Sequence, residues 1–318
     1  MIKNEENIID YIKSNIKTKS KDVLKSIGDD CAVIKINKSK SFVVTTDTSL
    51  LGPHFSKDYL PYEIGYKSLA TNLSDIAAMG CKPLYIFMAI TIPNLNSSWI
   101  KSFYRGISKL TTKHNVALIG GDTNKGPLSI SIQVIGISKN KILYRSGAKT
   151  KDDIYVSGDL GSARSALIFK GIKDKKKEFL SLKKYLHTPT PRVELGLDLS
   201  KFATSCIDVS DGLAKDISNI IKETKCGAKI YLDKIPHKLI IKKALPKNRL
   251  YEAIIGGGED YELCFTANSK DSRKIKYLSK KHKIKITKIG TITKKDLKYY
   301  DHDKEIKLNL KGFDHFSS

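Results

Sequence analysis

Five short stretches of the chain put carboxylates beside strand ends and glycine turns. Asp29 and Asp30 follow Gly28 and precede an apolar run. Asp47 follows Phe42-Val43-Val44-Thr45-Thr46, and Asp122 follows Gly120-Gly121. Asp208 and Asp211 flank Ser210 just before Gly212, and Glu259 and Asp260 follow Gly256-Gly257-Gly258. Singly, each Asp is an ordinary turn former or helix cap. The repetition of an apolar strand followed by Asp with Gly or Thr points further. A hard cation such as Mg²⁺ takes carboxylate oxygens together with substrate phosphates, and strand ends hold such ligands in fixed geometry. The chemistry this suggests is phosphate handling through metal ions.

Asp75 stands apart from that pattern. It lies inside a predicted helix over residues 61–79, which opens with Pro61 and stops at Gly80, with Pro83 beyond. Leu69, Leu73, Ile76 and Gly80 form one stripe of it, while Ser68, Asn72 and Asp75 fall on another face. Asp is a poor residue for a helix interior, and its neighbours Ala70, Ala77 and Ala78 are small. A solvated face would carry Lys or Glu there. An ordinary surface Asp is the plain alternative.

The elements that must position these residues alternate between strand and helix. A helix is expected over 5–17, and strands over 31–36 and 42–46 around the turn Asn37-Lys38-Ser39-Lys40. A strand over 84–92, a helix over 97–114, and strands over 116–119 and 128–137 around a glycine turn follow. The polar, basic stretch 138–152 marks a domain boundary. Beyond it come a strand at 153–157, a small-residue helix after Gly161 and a Lys-rich connector at 170–185. A strand at 205–209, a helix at 212–224 and strands at 228–232, 261–266, 285–289 and 306–308 complete the chain. This alternation predicts a two-domain α/β or α+β protein, with domains at 1–140 and 141–318.

Composition narrows the classes. The 318 residues include 57 Lys and Arg against 33 Asp and Glu, a net charge of +24, with 40% apolar residues. Mean hydropathy is −0.29, which describes a globular protein and not a disordered one. No apolar run is long enough to span a membrane, and no secretory pattern opens the chain. Cys31, Cys81, Cys206, Cys226 and Cys264 are scattered without a C-x-x-C pair, which points to a reducing cytoplasm and away from zinc or disulfides. The positive charge has two readings. One is a nucleic-acid binder. The other is Lys used as the default surface residue, and the spread of Lys along the chain with no aromatic interleaving favours it. P-loop, protein-kinase, G-x-S-x-G and H-E-x-x-H motifs are all absent.

Taken in order, the motifs resemble those of the bacterial thiamine-monophosphate kinase family. The matching stretches include Ile27-Gly28-Asp29-Asp30, Thr45-Thr46-Asp47, Gly52-Pro53-His54-Phe55 and Lys67 through Gly80. They continue with Gly120-Gly121-Asp122-Thr123, Arg145-Ser146-Gly147, Asp208-Val209-Ser210-Asp211-Gly212, Gly258-Glu259-Asp260-Tyr261 and Gly312-Phe313-Asp314. The resemblance implies an N-terminal α/β domain, a mixed sheet with helices that pairs in a homodimer, and a C-terminal α+β domain. It implies ATP as co-substrate, thiamine monophosphate as acceptor and several Mg²⁺ ions; the charge distribution and the lack of an apolar span lead us to expect no nucleic-acid or membrane partner.

By motif position, Asp30, Thr45, Thr46, Asp47, Asp75, Asp122, Asp208 and Asp211 would hold Mg²⁺. Gly121, Asp122, Arg145 and Ser210 would contact ATP. His54, Glu259 and Phe313 would contact the thiamine phosphate, Glu259 complementing the cationic ring and Phe313 stacking on a thiamine ring. Asp47, Asp122 and Arg145 would be the catalytic set. An ionised phosphate acceptor needs no general base, so direct in-line transfer is expected. Arg164 and Thr188 depart from the family pattern. Another ATP-using enzyme of the superfamily that includes aminoimidazole-ribotide synthetase is the nearest alternative, and a basic nucleic-acid-binding protein a more distant one.

Overall fold

The computed structural model describes residues 4–16 and 20–308. In the first half, apolar alternation makes β1 (Val23–Lys25), β2 (Ala32–Lys35), β3 (Ser41–Leu50), β4 (Lys82–Ile92), β5 (Ala117–Lys125) and β6 (Ser129–Ile137). These form one sheet in the order β1-β2-β3-β6-β4-β5. Every pair is antiparallel except β4 with β5. The helices here are α1 (Glu5–Asn15), α2 (Pro61–Ala78) and α3 (Ser97–His114), and α3 is the crossover that a parallel β4–β5 pair requires.

The second half carries β7 (Asp153–Ser157), β8 (Ser205–Asp208), β9 (Gly227–Tyr231), β10 (Leu263–Ala267), β11 (Ile286–Thr293), β12 (Leu297–Asp301) and β13 (Lys304–Ile306). Their order is β13-β12-β9-β11-β7-β10-β8. Around them lie α4 (Ser162–Phe169), α5 (Lys176–His187), α6 (Val193–Leu199), α7 (Leu213–Thr224), α8 (Leu239–Ala244), α9 (Lys247–Tyr251) and α10 (Ser272–His282). No helix among the described residues is long and apolar enough to cross a membrane.

α2 is the hub. Ile64, Leu69, Leu73 and Ile76 are buried, and the helix packs on β3 and β6 and also on α3, α6 and β8. One helix therefore touches both sheets. Its approach to α6 is close: a Cβ built on Gly196 would stand 2.0 Å from the carbonyl oxygen of Ala77. Only glycine lets the two backbones meet there.

Among the described residues, no layer covers the other face of the first sheet. Along β6, Ile130, Ile132 and Val134 are buried while the alternate residues are half-exposed. Tyr85 and Phe87 of β4 are about two-fifths exposed on that outer face (40% and 38%), and all of β5 is exposed.

Several expectations are corrected here. The Lys-rich stretch is helix α5, because Leu182 and Leu186 fall one turn apart and are buried. Gly120 and Gly121 do not make a turn but lie inside β5, an exposed edge strand. β3 runs on to Leu50, so Asp47 sits within the strand and does not end it. β10 starts at Leu263 because Glu259 and Tyr261 have left-handed backbones, with φ of 70° and 49°. β1, β12, α6 and α8 to α10 carry short or irregular apolar patterns and were not anticipated.

Replacing Gly196 with Ala should loosen the α2–α6 contact. A loss of about 1–3 kcal/mol is expected, typical of overpacking. A lower denaturant midpoint at unchanged slope is the expected result, and an unchanged midpoint would show that the contact gives way freely.

Candidate active site

Carboxylates from both halves converge near the C-terminal end of α2. Oxygens of Asp30, Asp75 and Asp208 all lie within 4.8 Å of one another. Asp30 comes from the turn before β2, Asp75 from α2, and Asp208 from the end of β8. Each is held by a specific donor. The Thr45 hydroxyl donates to Asp75 Oδ2 at 2.6 Å. Ser74 donates to Asp208 Oδ2 at 2.7 Å. Arg145 grips Asp30 Oδ1 through Nε at 3.2 Å and Nη2 at 2.7 Å, while its backbone N–H donates to Asp29. Asn72 accepts from the Asp47 backbone N–H at 3.2 Å, so the polar face of α2 is tied to β3. The surface alternative for Asp75 is excluded.

The electrostatics are strained. Burial raises the Asp75 carboxyl well above its usual range, and the charges of Asp47, Asp208 and Asp30 push it further. Burial raises Asp208 to about 8, with Asp30 adding to it. Asp29 is raised to about 6 by burial and then by Asp30. Burial also raises Asp47, where the Thr71 hydroxyl works the other way and Asp211 adds to the rise. Two unit charges about 5 Å apart repel by about 3 kcal/mol at an effective dielectric of about 20. Asp30 Oδ2 is buried with no hydrogen-bond partner among the described residues. Such a donor set suits a hard divalent cation, so these residues fit Mg²⁺.

Not every expected ligand joins this cluster. Thr46 is exposed and faces the opposite side of β3 from Thr45 and Asp47, as strand alternation requires. Asp122 is exposed on β5, bonded to the Thr123 backbone N–H and to Asn124 Nδ2. In register it lies opposite Ala89, then Ser131, then Thr48. Three strand spacings separate it from β3, or about 14 Å. Gly121 sits one residue earlier on the same edge. Asp211 is half-buried and takes Lys215 at 2.7 Å.

A second group of expected residues gathers beside the cluster. Glu259 Oε1 lies 2.7 Å from Lys67 Nζ, and the same ammonium donates to the His54 carbonyl at 2.9 Å. Three glycines precede the left-handed Glu259 and let this loop lie flat on the neighbouring one. A Cβ on Gly258 would stand 2.3 Å from the Ser210 carbonyl, which accepts the Glu259 backbone N–H at 2.8 Å. The left-handed backbone at Glu259 costs on the order of 1 kcal/mol, a strain typical of functional loops. Phe313 lies outside the described residues.

A cavity of 440 Å³ opens next to Asp29, Asp30 and Thr45, walled by Val23, Ile27, Ile34 and Val44. Its largely apolar walls suit a flat ring.

Two residues at the site escaped the reading of the sequence. Lys67 is one; its place on α2, two turns before Asp75, was the available signal. Asp216, on the first turn of α7, is the other. It is 2% exposed, its Oδ2 has no hydrogen-bond partner among the described residues, and burial, then Asp211 and Asp208, raise it well above its usual range.

Family models place this architecture. AIR synthase related protein, N-terminal domain, matches residues 28–138, and AIR synthase related protein, C-terminal domain, matches residues 149–302. Fold and site together thus define a member of the AIR synthase related class. Thiamine-monophosphate kinase of Buchnera aphidicola subsp. Schizaphis graminum is 41% identical over 324 residues, spanning 98% of this chain and 99% of that one. The crystal structure of thiamine-monophosphate kinase from Stenotrophomonas maltophilia K279a is 34% identical, with a TM-score of 0.78, covering 94% of this chain and 96% of that one. AaThiL complexed with AMPPCP and TMP is 28% identical, with a TM-score of 0.85, covering 98% and 97%. The chain belongs to the thiamine-monophosphate kinase family.

The raised carboxyls set a pH dependence. A folded pKa above the unfolded value near 3.8 means the folded state holds the proton more tightly. That stability is present at low pH and lost as pH rises through about 6 for Asp29 and about 8 for Asp208. Without divalent cation, the thermal midpoint should therefore fall between pH 5 and pH 8. Asp75→Asn should raise the metal-free midpoint at pH 8 and blunt the rise that Mg²⁺ produces in the parent protein. An unaltered Mg²⁺ response in Asp75→Asn would remove Asp75 from the ligand set.

Proposed function

We propose that this chain transfers the γ-phosphoryl of ATP to thiamine monophosphate, giving thiamine diphosphate and ADP. The observation that carries this reading is the convergence of Asp30, Asp75 and Asp208 at α2, in a chain related over its whole length to thiamine-monophosphate kinases. AaThiL, a structural relative, was complexed with AMPPCP and TMP, an ATP analogue and the proposed acceptor.

The acceptor nucleophile is a phosphate oxygen, with a second pKa of about 6. It is ionised at neutral pH and needs no base. The task is then to bring two polyanions into line. Mg²⁺ held by Asp30, Asp75 and Asp208, with Asp47, Asp211 and Thr45 alongside, would neutralise the phosphates and polarise the transferring group. Arg145 adds a fixed cation at the same place, already oriented by Asp29 and Asp30. Ser210 carries the backbone against which the Glu259 loop rests. We assign His54 and Glu259 to the acceptor, the Glu259 carboxylate facing its cationic ring. Phe313 is assigned to the same acceptor on motif position alone. The apolar cavity beside Asp30 suits the nucleotide base.

We further propose that the chain works as a homodimer, joined through the uncovered face of its first sheet. Support comes from Tyr85 and Phe87 on that face and from Leu118 and Ile119 on β5, which are 42% and 52% exposed. Thr46 and Asp122 both lie on the side that a second copy would cover. Their contribution to ATP and Mg²⁺ binding, with that of Gly121, belongs at that interface.

Two measurements test these readings. With ATP, Mg²⁺ and thiamine monophosphate, equimolar thiamine diphosphate and ADP should appear, and Asp47→Asn should slow turnover by about 100-fold or more, the scale of lost electrostatic stabilisation. ADP without thiamine diphosphate would mean a different acceptor within the superfamily. Sedimentation should give a dimer, and Ile119→Asp should yield a folded monomer with little activity. A fully active monomer would overturn the placement of Asp122 and Thr46.

A further inference from the structure

Lys67 is a buried cation in the middle of a helix, and its position calls for a reason. It is 4% exposed. Burying an ammonium is costly unless it is paired and hydrogen-bonded. Its Nζ meets two partners from separate segments: Glu259 Oε1 at 2.7 Å and the His54 carbonyl at 2.9 Å. The ring of Tyr59 lies 5.5 Å away, close enough for a cation–π contact. The two partners are the residues assigned above to the acceptor. One precedes α2, and the other lies in the second half of the chain. They have no common strand or helix to hold them in register.

We propose that Lys67 is the positioning residue of the acceptor site, acting through Glu259 and His54 to set selectivity for a phosphomonoester that carries an organic cation. A single ammonium links the loop before α2 to the left-handed Glu259 loop. It rises from the helix that also carries Asp75, eight residues on, or about 12 Å along the axis. Acceptor site and carboxylate cluster are therefore spaced by one rigid element. Lys67 also tempers Glu259. An unpaired carboxylate would attract any cation, whereas one that is paired through Oε1 and fixed in place favours a ligand whose cation and phosphate match that spacing.

The inference rests on the assignment of His54 and Glu259 to the acceptor, and the test separates the two. Steady-state kinetics of Lys67→Met, Lys67→Arg, Glu259→Gln and the Lys67→Met/Glu259→Gln double variant would be measured against ATP and thiamine monophosphate, with the thermal midpoint of each. Lys67→Met should raise the KM for thiamine monophosphate about 10-fold or more and leave the KM for ATP within about 2-fold. Lys67→Arg should recover part of that loss. The double variant should be no worse than the poorer single one, because the two residues act as a unit. If Glu259→Gln leaves the acceptor KM unchanged, the assignment of the acceptor site falls. If Glu259→Gln raises it and Lys67→Met does not, the positioning role of Lys67 falls alone. A Lys67→Met protein that only melts earlier, or that weakens both substrates equally, would mark Lys67 as structural. Should Lys67→Met fail to fold, the Lys67→Arg and Glu259→Gln pair carries the same comparison.

Discussion

Like-charged carboxylates held together under a protein surface are the constraint on which this fold turns. Asp30, Asp75 and Asp208 converge to within 4.8 Å, and burial makes their mutual repulsion harder to screen. Left to itself such a cluster would push its elements apart or take up protons. Surrounding groups hold it in place: the Thr45 and Ser74 hydroxyls and Arg145 donate to its carboxylates, and Asn72 accepts the Asp47 backbone N–H. Stability is spent here to keep ligands in place, which is the usual relation between a fold and its site. α2 carries three of these residues, and its apolar stripe anchors it in the first sheet. The same helix meets α6 and β8 of the second half. The packing that fixes α2 therefore fixes the site.

The two sheets contribute differently. The first is covered on one face by α2 and, among the described residues, bare on the other. Residue alternation along β3 sends Thr45 and Asp47 toward the helix and Thr46 toward the bare face. The second sheet supplies Asp208 at a strand end, then two loops that lie against each other. Glycines at 256–258 and Gly212 allow those loops to touch backbone to backbone, and the left-handed Glu259 follows from that contact. A Cβ at Gly258 would push the Glu259 loop away from Ser210. Polar chemistry at this site is thus positioned by apolar packing on one side and by backbone contact on the other.

Much of this was legible in the sequence, for reasons that differ by residue. Asp75 announced itself because Asp is costly within a helix and because Ser68 and Asn72 share its face. Asp30, Asp47 and Asp208 were marked by their glycine and strand context. The Lys-rich stretch misled, since charge hid the Leu182 and Leu186 spacing of α5. Gly120-Gly121 misled in the opposite way: the pair is a turn signal, yet pairing with β4 holds it extended. Lys67 was marked only by its place on α2 two turns before Asp75, a weak signal because residue type carries no mark of burial in a chain with so many lysines. Asp216 had the same difficulty, as an acidic residue in the first turn of a helix is ordinary.

The abundance of positive charge and the acidity of the site are parts of one electrostatic problem. A chain with 57 basic and 33 acidic residues has a positive far field, which draws in polyanions such as ATP and a phosphate ester. At close range the same anions meet carboxylates, which would repel them. Lys215 and Lys25 reach Asp211 and Asp29, but lysines beyond a Debye length of about 8 Å at physiological salt add little inside the site. Compensation must come from cations within it. Arg145 and Lys67 are fixed there by the chain but are already committed to Asp30 and to Glu259. The cluster around α2 therefore has more negative charge than its own side chains neutralise. A site of this kind becomes attractive to phosphate only when divalent cations arrive with it, and that requirement ties nucleotide binding to metal binding.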